Sequence, residues 1–133
     1  IVLSIQAKQS GDRWEAYMEG GREHSHLDVV EWAQKAEQLG VGEILLTSVD
    51  QEGTRKGFDI QLTRSVSEAV GIPVIASGGM GSLGDPVNVV TQGKADAVAV
   101  ASVIHYNQLS LEEIRKAGLD GGINFRIPLG GEA

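Results

Sequence analysis

The sequence predicts an α/β protein in which parallel strands alternate with helices. Two patterns carry this. Four short segments, "IVLSIQA" (1–7), "GEILLTSV" (42–49), "IPVIASGG" (72–79) and "ADAVAVASVI" (95–104), are nearly continuous in apolar and small residues. Strands buried on both faces of a parallel sheet read this way. Between them run amphipathic stretches with helical spacing, bounded by start and stop signals. Strand then helix, four times over, implies parallel strands joined by right-handed crossovers.

Each element has a local reason. In "LDVVEWAQKAEQL" (27–39), Val29, Val30, Ala33, Ala36 and Leu39 share one side, and Gly40 is a stop signal. "DIQLTRSVSEAV" (59–70) starts at a candidate N-cap, Asp59, and ends before Gly71 and Pro73. "DPVNVVTQG" (85–93) opens with Asp85–Pro86, a good first helical turn. "SLEEIRKAG" (110–118) places Ser110 and Glu113 in capping-box spacing. Ahead of the first helix, "AKQSGDRWEAYMEGG" (7–21) has a turn cluster and an alternating "RWEAYM", which reads as a hairpin extending the first strand. Residues 127–133 read as an irregular or disordered tail behind one domain, 1–126.

Four βα units form either a small open α/β sheet or half of an eight-stranded barrel. A half barrel leaves strand edges and an apolar face uncovered. Leu3, Ile44, Leu46, Val74, Ala76 and Val98 or its neighbours are the expected barrel-facing residues. The chain is therefore expected to associate with another half barrel or with itself.

The chain has 133 residues, 41% hydrophobic and 22% charged, which is a globular composition. The net charge of −7 argues against a nucleic-acid partner. No apolar run is long enough for a membrane helix. With no cysteine there is no disulfide and no thiolate metal site, and a cytoplasmic setting is the easiest fit. No metal or cofactor is expected. His24, His26 and His105 lack metal-ligand spacing, and Trp14 and Trp32 read as packing residues.

Parallel α/β folds bind ligands at the C-terminal ends of their strands. The residues there are Gln6 and Lys8; Thr47, Ser48 and Asp50; Ser77, Gly78 and Gly79; Ala101 and Ser102. Hydroxyls and glycine amides recurring at these points suit an anion. Asp50, in the polar loop "DQEGTRKGFD", is a candidate to position substrate or act as a base. "GMGSLG" (79–84) matches a dinucleotide fingerprint, but the acidic residue expected about 20 positions on is missing from "SVIHYNQ".

"GEILLTSVDQEGTRKGFD", "PVIASGGMG" and "ADAVAVASVIHY", with "GGR…LD…W" before the first helix, resemble the C-terminal half of the cyclase subunit of imidazole glycerol phosphate synthase. The resemblance runs from Ile1 to about Arg126. It implies an eight-stranded (β/α) barrel of TIM type, of which these are strands five to eight, so that the sequence starts mid-protein. It also implies a glutaminase partner that delivers ammonia. The substrate would be a phosphoribulosyl-formimino aminoimidazole carboxamide ribonucleotide, split into imidazole glycerol phosphate and an aminoimidazole carboxamide ribonucleotide. One substrate phosphate then falls on Thr47, Gly53, Ser77, Gly78, Gly79, Ala101 and Ser102.

The family's catalytic Asp in "I-D-A-K" is Gln6 here, in "IQAK". An amide cannot exchange a proton as a tuned carboxyl does, but it can orient substrate or ammonia. Glu52 stands where the family usually has Asp, and His26 where Gly is usual. Three readings follow: a cyclase in which another group handles the protons; a paralogue that uses ammonia on a surface-sugar nucleotide; or a non-catalytic phosphate-binding half barrel.

Overall fold

The computed structural model describes residues 1–130. Six strands are interleaved with five helices: β1 (Val2–Ser10), β2 (Arg13–Met18), β3 (Glu23–Asp28), α1 (Val29–Gln38), β4 (Glu43–Ser48), α2 (Ile60–Ala69), β5 (Val74–Ser77), α3 (Asp85–Thr91), β6 (Ala97–Ala99), α4 (Ser102–His105) and α5 (Leu111–Asp120). They build one sheet in the order β3-β2-β1-β4-β5-β6. β1, β4, β5 and β6 run parallel, and β2 and β3 add an antiparallel hairpin at one edge.

The parallel strands lie side by side in chain order, so every crossover moves the same way along the sheet. A doubly wound sheet reverses direction at a switch point; a barrel does not. This separates the two architectures left open by the sequence in favour of a partial (β/α) barrel.

The helices begin where their caps dictate. The Asp28 carboxylate accepts from the Glu31 N–H, and Asp59 from the Leu62 N–H, both at 3.0 Å. Ser110 and Glu113 close a reciprocal capping box. At the end of α1, Gly40 N–H donates to the Glu37 carbonyl and Val41 N–H to the Ala36 carbonyl, a Schellman ending. Leu39 is consequently the cap and stays 68% exposed, while Val29, Ala33 and Ala36 are buried as expected.

Two apolar clusters lie between sheet and helices. One joins Ile5, Ile44, Leu46 and Val74 to Val29, Ala33, Leu62 and Val66, with Trp14 and Trp32 packed against it. The other joins Ala76 to Phe58, Val89, Val103 and Ile114.

The clusters correct the sequence expectation about the sheet's faces. Leu3, Ile44, Leu46, Val74, Ala76 and Val98 pack toward the helices. The barrel-facing residues are their neighbours in sequence: Ser4 and Gln6, Leu45 and Thr47, Ile75 and Ser77, Ala97 and Ala99, which register across the sheet. Side chains alternate along a strand, and a continuous apolar run hides the phase of that alternation.

Three further differences concern element bounds. Residues 23–28, where the sequence predicts no strand and starts the helical stretch at Leu27, form β3, which pairs with β2 around a bulge at Ala16/Tyr17. At that bulge His26 takes φ +62, a left-handed conformation that suits the usual glycine. The last strand is shorter than expected, and Ser102–His105 turns into a helix after Ala101 leaves extended geometry. Residues 121–130 carry no regular structure; residues 131–133 of the expected tail lie outside the described residues.

Candidate functional site

The parallel strands all end on one side of the sheet, and their last barrel-facing residues line up. Gln6 registers with Thr47, Thr47 with Ser77, and Ser77 with Ala99. On the other side of β1, Gln6 registers with Tyr17 and Tyr17 with His24. One row therefore crosses the mouth of the partial barrel.

Beyond the Ser77–Ala99 end of this row lies a cavity of about 200 Å³. Its walls are Ser77, Gly78 and Gly79 after β5, Ala101 and Ser102 after β6, and Glu52 and Gly53 from the β4–α2 loop. Met80, Val100 and Val103 supply apolar contacts. Among the described residues, the backbone N–H groups of Gly79, Ala101 and Ser102 find no protein acceptor. No Lys or Arg lines the cavity. Its polar groups are amide and hydroxyl donors, which bind an oxyanion without a full positive charge, together with the Glu52 carboxylate on the loop wall.

Six of the seven residues expected to bind phosphate, Gly53, Ser77, Gly78, Gly79, Ala101 and Ser102, thus line one cavity. Thr47 stands outside it, one strand away in the same row, and is buried. Gln6 is one strand further. The β2–β3 turn closes over it: a Cβ on Gly21 would lie 3.0 Å from the Gln6 Oε1. Asp50 is also outside the cavity. Its carboxylate accepts from the Gln9 N–H at 2.7 Å and fastens the end of β1 to the β4–α2 loop.

Gly79 and Gly81 of "GMGSLG" serve loop packing. Gly57 N–H donates to the Gly79 carbonyl at 2.7 Å, so the β4–α2 loop lies against the β5–α3 loop. A Cβ on Gly79 would overlap the Gly57 carbonyl, and one on Gly81 the Arg55 carbonyl. The Asp85 carboxylate takes the Gly81 and Ser82 N–H groups at 2.8 and 2.9 Å. Those amides would have to be free for a pyrophosphate, so the dinucleotide reading falls away.

Sequence reasoning missed a second polar group on the same face. Glu15 and Tyr17 on β2 meet His24 on β3. Glu15 Oε2 is 2.8 Å from His24 Nδ1, and the Tyr17 hydroxyl lies 2.9 Å from Nδ1 and 3.2 Å from Nε2. His26 stacks on His24 at 5.7 Å, and the Lys8 ammonium sits 5.5 Å from the Tyr17 ring centroid. The Glu15 pKa is pulled below the ordinary carboxylate value. Partial burial opposes this with the largest single effect, but the hydrogen bonds from His24 and the His26 N–H, with the charge of both histidines, outweigh it. The available signal was the two-residue spacing of Glu15 and Tyr17, which puts both on one face of a strand.

Among the described residues, no cluster of His, Cys, Asp and Glu has the geometry to hold a metal ion. No helix among them is long and apolar enough to cross a membrane.

A singly wound sheet, helices on one face only, and polar residues gathered at the strand ends define a segment of a TIM-type barrel with its candidate site on the usual face. The family model described as histidine biosynthesis protein matches residues 1–110. The chain belongs to this family of TIM-barrel isomerases and cyclases of the histidine pathway.

Proposed function

We propose that the chain is the C-terminal half barrel of an imidazole glycerol phosphate synthase cyclase and grips one phosphate of its substrate. The cavity between Gly78–Gly79 and Ala101–Ser102 carries this reading. It offers unpaired amides and hydroxyls in a space suited to a phosphate group, where the last two strands of such barrels commonly bind one. Thr47 extends that grip along the row. Ammonia arrives from a glutaminase subunit at the same mouth, in the cytoplasm. The complementary half barrel, or a second copy of this one, covers the open face. Gln6 orients ammonia or substrate through its amide. Asp50 is the carboxylate of the adjoining loop and holds that loop to β1.

Gln6 itself favours a second reading, a paralogous synthase that uses ammonia on a surface-sugar nucleotide. Ammonia-dependent turnover of the phosphoribulosyl substrate by the assembled barrel decides between them, measured with Gln6 and with Gln6→Asp. Turnover with Gln6 supports the cyclase. Turnover only with Gln6→Asp leaves the phosphate grip in place and moves the native chemistry to another substrate.

A further inference from the structure

We propose that Tyr17, His24 and Glu15 form a proton relay on the wall of the barrel mouth, with the Tyr17 hydroxyl as the group that meets substrate. The inference rests on the cyclase reading and supplies what the Gln6–Thr47–Ser77–Ala99 row lacks, since none of those side chains exchanges a proton near neutral pH.

Geometry sets the direction of the relay. Glu15 Oε2 accepts at 2.8 Å from His24 Nδ1 and at 3.4 Å from the His26 N–H. The Tyr17 hydroxyl lies 2.9 Å from Nδ1 and 3.2 Å from Nε2; a carboxylate on Nδ1 fixes the Nδ1–H tautomer and leaves Nε2 as the acceptor for that hydroxyl. Tyr17 is the cross-strand partner of Gln6, so its side chain shares the face of the substrate row. When a substrate N–H or C–H proton leaves, it bonds to the Tyr17 oxygen. The hydroxyl proton of Tyr17 passes to His24 Nε2 in the same step. One proton leaves the substrate, one arrives on the imidazole, and Tyr17 stays neutral. The Glu15 carboxylate stabilises the imidazolium, and the reverse transfer returns the proton to a leaving nitrogen. Tyr17 is thus the catalytic residue and His24 and Glu15 its positioning residues. Glu15 and Tyr17 from β2 and His26 from β3 are the titratable groups in contact with His24, and the Lys8 ammonium from β1 sits over the Tyr17 ring.

Two measurements test this. In the first, the imidazole ¹⁵N signals of His24 are titrated in the chain itself. The Nδ1–H tautomer is expected, with a titration curve that shifts in Tyr17→Phe and in Glu15→Gln. An unshifted curve in both variants overturns the relay. In the second, the assembled barrel turns over the phosphoribulosyl substrate with ammonium as nitrogen source, and inorganic phosphate binding is measured alongside. Tyr17→Phe is expected to lower kcat about 100-fold or more with phosphate affinity unchanged. His24→Gln is expected to remove a limb of the pH–kcat profile. A kcat within twofold of the parent, or a parallel loss of phosphate binding, overturns the relay. No turnover by the parent barrel counts against the cyclase reading instead, and the ¹⁵N titration then decides on the relay by itself.

Discussion

Gly57 donates its backbone N–H to the Gly79 carbonyl at 2.7 Å, and through this bond two loops from different strands meet backbone to backbone. The contact holds one wall of the cavity against the loop that carries Gly53. Gly79 adopts φ +109, and an added Cβ there would overlap the Gly57 carbonyl oxygen. Gly79→Ala is therefore expected to combine backbone strain with forced separation of the loops. Urea unfolding should show a loss of about 2–4 kcal/mol. Titration with inorganic phosphate should show affinity weakened at least about tenfold. Gly11→Ala is the comparison: it carries a positive φ of +64 but has open space around it. That variant should lose only about 1 kcal/mol and keep phosphate binding.

A second expectation concerns acid. The Glu15 pKa is lower in the folded protein than its ordinary value. The folded state consequently binds fewer protons than the unfolded chain across the interval between the two values. The contribution of Glu15 is fully present above the ordinary carboxylate range and is lost as pH falls through the depressed folded value. Denaturant unfolding stepped downward from pH 6 should show a fall in stability through that interval, and Glu15→Gln should flatten it. Arg64 and Lys94, which hold Glu68 low through hydrogen bonds and charge, give Glu68 the same sign. The Glu68→Gln variant separates that surface contribution from the one at the hairpin.

What the sequence disclosed and what it hid have physical reasons. Asp59, Pro86 and the Ser110–Glu113 pair mark helix starts because caps act within one turn, and the structure places the helices there. Six residues named from the strand ends and from the family resemblance meet around one cavity. The phase of the strands was hidden, because "EILLTS" presents apolar residues on both faces and only the packed helices choose between Leu45 and Leu46. β3 was hidden because "EHSHLD" has no apolar pattern and is held through pairing with β2. The Glu15–His24 contact needs the hairpin, its bulge and the left-handed His26 together, and no local signal encodes all three.

The Ser67 hydroxyl in α2 is buried with no hydrogen-bond partner. A buried hydroxyl left unpaired is a desolvation penalty, and serine is also a weaker helix former than alanine. Ser67→Ala removes both at once and leaves the Cβ packing in place. The variant should be more stable by about 1 kcal/mol, read as a higher midpoint in urea at an unchanged slope. An unchanged or lower midpoint would mean that the hydroxyl finds a partner in solution.

The open face of the sheet sets the last expectation. The centre of its middle layer is apolar, with Leu45 registered against Ile75 and Ser4 and Ala97 on either side, and its upper layer places polar Gln6, Thr47 and Ser77 in a row that ends at Ala99. In a closed barrel the middle layer would be packed against the other strands. Here both side chains remain partly exposed, and β6 ends the sheet with one neighbour. An apolar layer beside an unpaired strand edge favours association. Sedimentation velocity at micromolar concentration should therefore show a species larger than the 14.1 kDa monomer. Ile75→Asp puts a charge in the middle of the apolar layer without touching the helix-facing core, and it should shift the distribution to monomer. A compact monomer for the parent chain at that concentration would show that the polar upper layer keeps the face hydrated.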